Sequence, residues 1–153
     1  MDIAKIKVDI GVNYINPRVP EYKVVNDLLE SNIYQDVWLA LQVFGQVFDF
    51  TDANDDVAFF WLVNSIECKG GFSVQLSAVG RYAVIVDLEK SAKSAATGSQ
   101  ILSLLESFGF YIFDHSELFT PVFREFSQQT VYQWLFSEVS RPPPQVISKQ
   151  KYD

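Results

Sequence analysis

Apolar and polar positions alternate with a period of two near the beginning of the chain. Polar residues or glycine separate the apolar ones, so that all apolar side chains would share one face of an extended strand. Two prolines between residues 16 and 20 cannot donate to a strand ladder and would end the element. The pattern therefore predicts a first strand. Its apolar members are Ile6, Val8, Ile10, Val12 and Tyr14.

From residue 21 the apolar spacing changes to three and four residues, which is typical of an amphipathic helix. This spacing predicts one helix over residues 21–29. After the polar residues Ser31 and Asn32, it predicts a second helix over residues 33–48. That helix should be mostly buried, because apolar residues cover more than half of its circumference. Gly45 weakens it near its end.

Residues 57–66 form a continuous apolar run that fits either a buried strand or a helix. Aromatic and β-branched residues favour the strand. A length of ten residues favours the helix, and Asp55 or Asp56 could cap its N-terminus. Periodicity alone does not separate the two, and on length we expect a helix.

The second half of the chain predicts a hairpin followed by shorter elements. Over residues 72–86, two β-type runs flank a turn that contains a glycine, which indicates an antiparallel hairpin. In the element that follows, Ser99 is a suitable helix cap and Gly109 a suitable helix end. The remaining elements are a helix over residues 99–108, a strand over residues 111–113 and a helix over residues 130–139.

These elements predict an α+β fold, a single domain in which a small antiparallel sheet packs against several helices. A chain of 153 residues is about one domain long. Residues 1–140 would form the globular body. Residues 141–153, which begin with an arginine and three prolines, would form a Pro-rich C-terminal tail.

One stretch of the chain is strongly acidic. The net charge is −7, and residues 24–68 contain eight carboxylates and no lysine or arginine. Such a field repels phosphate backbones and anionic membranes, so we expect neither nucleic acid nor membrane as a partner. It attracts and steers a basic protein. The carboxylates expected in turns, and therefore at a contact surface, are Asp49, Asp52, Asp55, Asp56 and Glu67.

Candidate catalytic and metal-binding chemistry is sparse, and we predict no catalytic residue, metal ion or cofactor. The single histidine, His115, lies near two acids, but no nucleophile elbow or Cys–His signature accompanies it. Residues 52–56 imitate the start of a calcium loop. Val57 stands where that loop requires glycine, however, and Val63 where it requires a bidentate glutamate. The protein is therefore not expected to be an enzyme.

The number of cysteines and the first residues of the chain indicate the cellular compartment of the protein. A single cysteine, Cys68, excludes an internal disulfide and a multi-cysteine metal site. The first residues show no basic patch followed by an apolar run, and no apolar stretch is long enough to span a bilayer. These features predict a soluble, cytoplasmic protein.

The C-terminal third contains a set of residues with a recognisable pattern. They are Gly109, Phe110, Tyr111, Asp114, Glu117, Leu118, Thr120, Pro121, Val122 and the run TVYQWLF over 130–136. This pattern resembles those of bacterial immunity proteins from contact-dependent growth inhibition and related polymorphic toxin systems. The resemblance implies a cytoplasmic protein that binds and neutralises one cognate toxin domain, often a nuclease, and it assigns no functional residue.

Two other functions stay open beside the immunity protein. A module that binds a small molecule or lipid would show an apolar pocket of several hundred cubic ångströms with converging polar groups. A subunit of a larger complex would expose a large apolar patch. The class of toxin, the mode of inhibition and the oligomeric state do not follow from the sequence.

Overall fold

A computed structural model describes residues 1–16, 19–20, 32–51, 57–126, 128–137, 142–143 and 146–147. The helices of these residues are α1 (Ile3–Asn13), α2 (Asn32–Leu41), α3 (Ala92–Ser107), α4 (His115–Leu118) and α5 (Val131–Leu135), with a 3-10 turn at Arg124–Phe126. The strands are β1 (Tyr14–Asn16), β2 (Val19–Pro20), β3 (Gly45–Asp49), β4 (Ala58–Ser65), β5 (Gly71–Ser77), β6 (Tyr82–Asp87) and β7 (Tyr111–Ile112).

The main sheet contains five strands in the order β3-β4-β5-β6-β7. Strands β3 to β6 are antiparallel neighbours, whereas β7 pairs with β6 in parallel after the chain has passed through α3. The short strands β1 and β2 form a separate antiparallel ribbon. The expected small α+β domain is therefore confirmed, with a sheet that is mixed because of β7.

Helices cover both faces of the main sheet. The α2/α3 face buries alternate strand residues such as Phe59, Trp61 and Val63 together with helix residues of α2 and α3. The α1/α5 face buries Val84 and Val86 against α1 and α5. Because successive strand residues point to opposite faces, β4 contributes Phe59 to the first cluster and Ala58 to the second.

The first element is a helix, so the expectation of a strand over residues 6–14 is wrong. Ile6 and Ile10 are each 1% exposed and pack on the α1/α5 face, while Val8 and Val12 are exposed. A period-two pattern contains every fourth residue as well, and residues four apart share one face of a helix. Only the Ile6–Ile10 pair carries the packing, and Val8 and Val12 point to solvent.

Residues 58–65 form strand β4, so the expectation of a helix over residues 57–66 is also wrong. β4 hydrogen-bonds to β3 on one side and to β5 on the other. A strand inside a sheet that is covered on both faces appears in the sequence as an unbroken apolar run, which explains the ambiguity.

The helix expected over residues 33–48 is correct only for its first part. α2 ends at Leu41, and residues 45–49 turn back as strand β3. The break lies at Gly45, whose φ of +156° suits glycine. An ideal Cβ there would lie 1.9 Å from the backbone oxygen of Asn64 on β4. The helix expected over residues 21–29 lies outside the described residues.

The hairpin and the later elements are confirmed with adjusted ends. β5 and β6 form the expected hairpin, and β7 and α5 occupy the expected strand and helix. Helix α3 begins earlier than expected, at Ala92, and its cap is Ser91 rather than Ser99. Thr130 caps α5 by accepting a hydrogen bond from the backbone nitrogen of Gln133.

Two described residues of the C-terminal segment pack on the sheet. Val146 forms a bridge with Val86 of β6. The backbone nitrogen of Ile147 donates to the oxygen of Ile85 at 2.8 Å, and Ile147 is buried in the α2/α3 face. The segment expected as a tail therefore contributes to the core at these positions.

Asp87 holds the connection between β6 and α3. Its Oδ1 accepts from the backbone nitrogens of Glu89 and Lys90, each at 2.9 Å, and its Oδ2 accepts from the Ser94 hydroxyl at 2.7 Å. Asp87 is buried. Removing it would take the acceptor from two part-buried backbone donors and from one buried hydroxyl, which is more costly than losing one exposed hydrogen bond.

We expect Asp87→Ala to lower the free energy of unfolding by about 2 kcal/mol or more. The matched control is Asp36→Ala, because Asp36 is an exposed carboxylate on α2 and its loss should change stability by less than about 0.5 kcal/mol. Urea unfolding followed by tryptophan fluorescence measures both. Equal effects of the two substitutions would contradict the role given to Asp87.

Candidate functional site

The open edge of the main sheet is the candidate site. Within the described part of the chain, β3 pairs with β4 on one side and with no strand on the other. Two surfaces flank β3, one on each face of the sheet. We name them the outer patch (Phe48, Phe50, Phe60 and Leu62) and the α2 cleft (Tyr34, Gln35, Trp38, Leu39, Asp49 and Trp61).

The outer patch is an aromatic surface on the α1/α5 side of the sheet. Strand register places Phe48 opposite Leu62, and the backbone nitrogen of Phe50 donates to the oxygen of Phe60 at 2.8 Å. The rings of Phe48 and Phe50 lie edge to face, with centroids 6.4 Å apart. Phe50 is 66% exposed and Phe48 is 37% exposed. Two adjacent exposed phenylalanines are typical of a contact surface.

The outer patch is exposed because the helices of this face cover the strands farther from β3 and leave the β3 edge uncovered. Tyr132 of α5 reaches as far as β5, where its hydroxyl donates to the Gln75 side chain at 2.9 Å. Next to Gln75, Ser73 is half-buried and borders a small depression beside the outer patch. On this face Phe48 of β3 and Leu62 of β4 lie beyond that border, whereas Ala58 and Phe60 of β4 pack with the α1/α5 cluster.

The α2 cleft lies on the opposite face, between helix α2 and the first two strands of the sheet. It has a volume of about 500 Å³. The rings of Trp38 and Trp61 form its aromatic wall, in an edge-to-face arrangement with centroids 5.0 Å apart. Leu39, which is 61% exposed, forms an outer wall. The lining is therefore mostly apolar, with a carboxylate contributed by Asp49.

Asp49 and Trp61 are direct cross-strand partners. The hydrogen bonds of the neighbouring pairs, from Phe50 to Phe60 and from Ile66 to Phe44, make Asp49–Trp61 a pair without backbone hydrogen bonds between its members. Side chains come closest at such pairs, with Cβ atoms about 4.5–5.5 Å apart. The Asp49 carboxylate therefore stands directly beside the indole of Trp61.

The backbone of Thr51 fixes the Asp49 carboxylate. The Thr51 nitrogen donates to Oδ1 of Asp49 at 2.9 Å, and the Thr51 hydroxyl accepts from the nitrogen of Phe60 at 3.0 Å. No described residue donates a hydrogen bond to Oδ2 of Asp49. The second carboxylate oxygen is thus held at the cleft in a defined orientation.

The described residues of this edge carry only negative charge. Strands β3 and β4 and helix α2 contain Asp36 and Asp49, both exposed, and no lysine, arginine or histidine. The nearest base along the chain is Lys69, which follows β4. A cation that approaches the edge is therefore attracted by these two carboxylates. The charge of Arg81, which lies outside these three elements, acts on Tyr34 of the α2 cleft.

The structure separates the carboxylates expected at the contact surface. Asp49 lies at the α2 cleft, whereas Glu67 is exposed beyond the opposite end of β4. From Trp61, which pairs with Asp49, to Ser65, two residues before Glu67, β4 extends about 13 Å. The two carboxylates therefore do not share one surface. Asp52, Asp55 and Asp56 lie outside the described residues, and their contribution stays a prediction.

His115 and Cys68 lie away from this edge. His115 is half-buried at the start of α4, where its ring packs edge-on against Phe119 with centroids 5.0 Å apart. Cys68 is buried, and its sulfur lies 3.8 Å from the Thr97 hydroxyl. Within the described residues, no group of three or more histidine, cysteine, aspartate or glutamate side chains could hold a metal ion.

Two tyrosine–carboxylate pairs lie on the α1/α5 face. Tyr82 donates to Asp9, which also accepts from Lys5, and Tyr111 donates to Glu117 at 2.6 Å. Burial, followed by these carboxylates, raises the pKa of both tyrosines above the ordinary value. Neutral tyrosines in these pairs attach α1 and α4 to the sheet.

Burial also raises the pKa of Tyr34 to about 12, against the opposing charge of Arg81. Its hydroxyl donates to the Ser77 oxygen at 2.9 Å. Tyrosine in the unfolded chain ionises near pH 10. The stabilisation that neutral Tyr34 gives to the folded protein is therefore complete below pH 10 and is lost as the pH rises through 12. The loss amounts to about 2–3 kcal/mol between pH 10 and 12.

We expect Tyr34→Phe to flatten this alkaline loss of stability without abolishing it, because Tyr82 and Tyr111 also have raised pKa values. Unfolding by urea at several pH values between 9 and 12 measures the slope for both proteins. An identical slope in the variant would show that Tyr34 ionises alike in the folded and unfolded states.

Sequence reasoning missed most of this site. It assigned Phe48 to a buried helix and did not distinguish Phe50 or Trp38 from core aromatics. One signal was present: Gly45 interrupts the helical spacing, and glycine is unfavourable inside a helix.

None of the described helices has the length and apolar character needed to cross a membrane. No protein-family model, no curated protein and no solved structure matches this chain. The function proposed below therefore depends on the residues of the open edge and on their charge.

Proposed function

We propose that this protein is an immunity protein that binds a basic toxin domain, of nuclease type, in the bacterial cytoplasm and thereby neutralises it. The observation that carries the proposal is the combination at one sheet edge of exposed aromatic rings with carboxylates and no described base. Buried aromatic side chains supply most of the affinity of a protein interface, and complementary charge supplies rate and specificity.

The inhibitor would act by contact rather than by chemistry. A nuclease surface is basic because it binds phosphates, so carboxylates at the sheet edge can occupy the positions of those phosphates. Phe48 and Phe50 of the outer patch would fill apolar recesses of the toxin domain. The acidic residues Asp52, Asp55 and Asp56 follow Phe50 closely in the chain, and their charge would add to the attraction of a basic toxin domain.

The proposal predicts a large toxin gene immediately upstream of the gene for this protein, and the C-terminal domain of that toxin is the partner used in the test. Co-expression should yield a complex that co-purifies, and the complex should lack nuclease activity. Replacing Asp52, Asp55 and Asp56 together by asparagine should slow association about tenfold at low salt and flatten its salt dependence. An equal association rate in stopped-flow experiments would remove these carboxylates from the interface, and failure to form any complex would contradict the proposed function.

One observation favours a second function, a module that binds a small molecule. The α2 cleft has a volume of about 500 Å³, within the range of about 300–1,000 Å³ that is common for ligand sites. Its polar groups are few, however, because the Tyr34 hydroxyl is already bonded to Ser77. A cleft with one oriented carboxylate suits a cation better than a ligand that requires several polar contacts.

A further inference from the structure

We infer that the α2 cleft is a binding pocket for an arginine side chain, and that the cognate toxin domain inserts such a side chain there. This inference rests on the proposed function and adds the chemical group that is recognised. It concerns the cleft alone and not the outer patch.

The lining of the cleft has the chemistry that a guanidinium group requires. A guanidinium group stacks on aromatic rings and binds carboxylates through directed N–H donors. The cleft presents both kinds of group side by side, because Asp49 and Trp61 are cross-strand partners and Trp38 packs against Trp61. A cation near a tryptophan ring is attracted by the ring electrons, most strongly where water is excluded.

The Asp49 carboxylate is held through one of its two oxygens. Oδ1 is held by the backbone nitrogen of Thr51, and the described residues provide no donor for Oδ2. The carboxylate is exposed and lines the cleft. Its orientation is therefore set before a ligand arrives, which lowers the entropic cost of binding.

Other occupants fit the α2 cleft less well. A second copy of this chain would bring the same acidic edge against the cleft, and like charges in contact are unfavourable. An acidic or phosphorylated ligand meets the same repulsion from Asp49 and Asp36. A purely apolar ligand would leave the Asp49 carboxylate partly desolvated without a partner. A basic side chain with a long apolar stem satisfies the whole lining.

The test uses N-acetyl-L-arginine amide as the probe and the matching citrulline amide as an uncharged control of nearly the same shape. The full-length protein, labelled with nitrogen-15, reports through the indole N–H signals of its three tryptophans. Trp38 and Trp61 line the cleft. Trp134 is buried on the α1/α5 face and is the internal control.

We expect the arginine probe to shift the Trp38 and Trp61 signals saturably, with a dissociation constant on the order of millimolar, and to leave Trp134 unchanged. The citrulline probe should bind at least about tenfold more weakly, because it lacks the charge. Asp49→Asn should weaken arginine binding about tenfold. The matched variant Glu67→Gln, which loses the same charge at the other end of β4, should change it less than about twofold.

Equal binding of both probes, or no saturable shift at Trp38 and Trp61, would overturn the arginine pocket. Equal weakening by Asp49→Asn and Glu67→Gln would do the same, because it would indicate only attraction by net charge. These results are independent of the toxin domain. If the probe fails while the toxin domain binds, the pocket is wrong and the proposed function stands. If the probe binds while the toxin domain does not, the cleft is a guanidinium site and the proposed function is wrong.

Discussion

Replacing Gly45 by alanine is expected to lower the free energy of unfolding by more than about 3 kcal/mol. Gly45 begins β3 with a φ of +156°, a conformation that side chains disfavour. A Cβ at this position would overlap the backbone oxygen of Asn64, 1.9 Å away, and would press on the nitrogen of Ile66 at 3.2 Å. Backbone atoms cannot move aside as a flexible side chain can, so the β3–β4 pairing must open.

The chain provides a matched control at Gly11. This glycine lies in α1, and an added Cβ would meet nothing within 4 Å. Gly11→Ala should therefore stabilise the protein by about 0.5–1 kcal/mol, because alanine is the better helix former. Guanidinium unfolding followed by circular dichroism measures both variants. If the free energy of unfolding of Gly45→Ala lies within about 1 kcal/mol of the wild-type value, β3 does not turn at this glycine.

The second large effect is expected on binding rather than on stability. Replacing Phe48 and Phe50 together by serine should weaken the complex with the toxin domain about 100-fold, which corresponds to about 2.7 kcal/mol. Phe50 is 66% exposed in the free protein and Phe48 is 37% exposed. The double variant should therefore stay folded, with a free energy of unfolding lowered by about 1 kcal/mol through the lost packing of Phe48. Isothermal titration calorimetry then reports the change in the dissociation constant.

The matched control is the double variant Leu88→Ser and Phe119→Ser. These residues are 46% and 48% exposed, and they lie after β6 and after α4, away from β3. This variant removes a comparable exposed apolar surface and should leave binding within about twofold. If both double variants weaken the complex equally, the outer patch has no special role.

The sequence predicted the elements whose pattern depends on local structure. The β5–β6 hairpin and helix α5 have periodic patterns and clear turn or capping residues, and the structure has both. The sequence failed where one pattern fits two structures. Ile6 and Ile10 satisfy a strand and a helix alike, and only packing on the sheet decides between them.

The candidate site was harder to predict because it depends on contacts between distant parts of the chain. Trp38 and Trp61 are 23 positions apart and meet only when α2 packs on β4. Exposure of Phe48 and Phe50 depends on how far α5 reaches across the sheet. No local pattern encodes either fact. The acidity of the edge, by contrast, is a property of the sequence itself and was visible from the missing bases of residues 24–68.

The central claim is that a basic partner is recognised at the β3 edge. Amide hydrogen exchange, measured with and without a saturating amount of the toxin domain, tests it most directly. We predict that binding slows exchange in α2, β3 and the part of β4 that bears the outer patch, and leaves α1 and α5 unchanged. Slower exchange confined to α1 and α5, with none at β3, would contradict the claim.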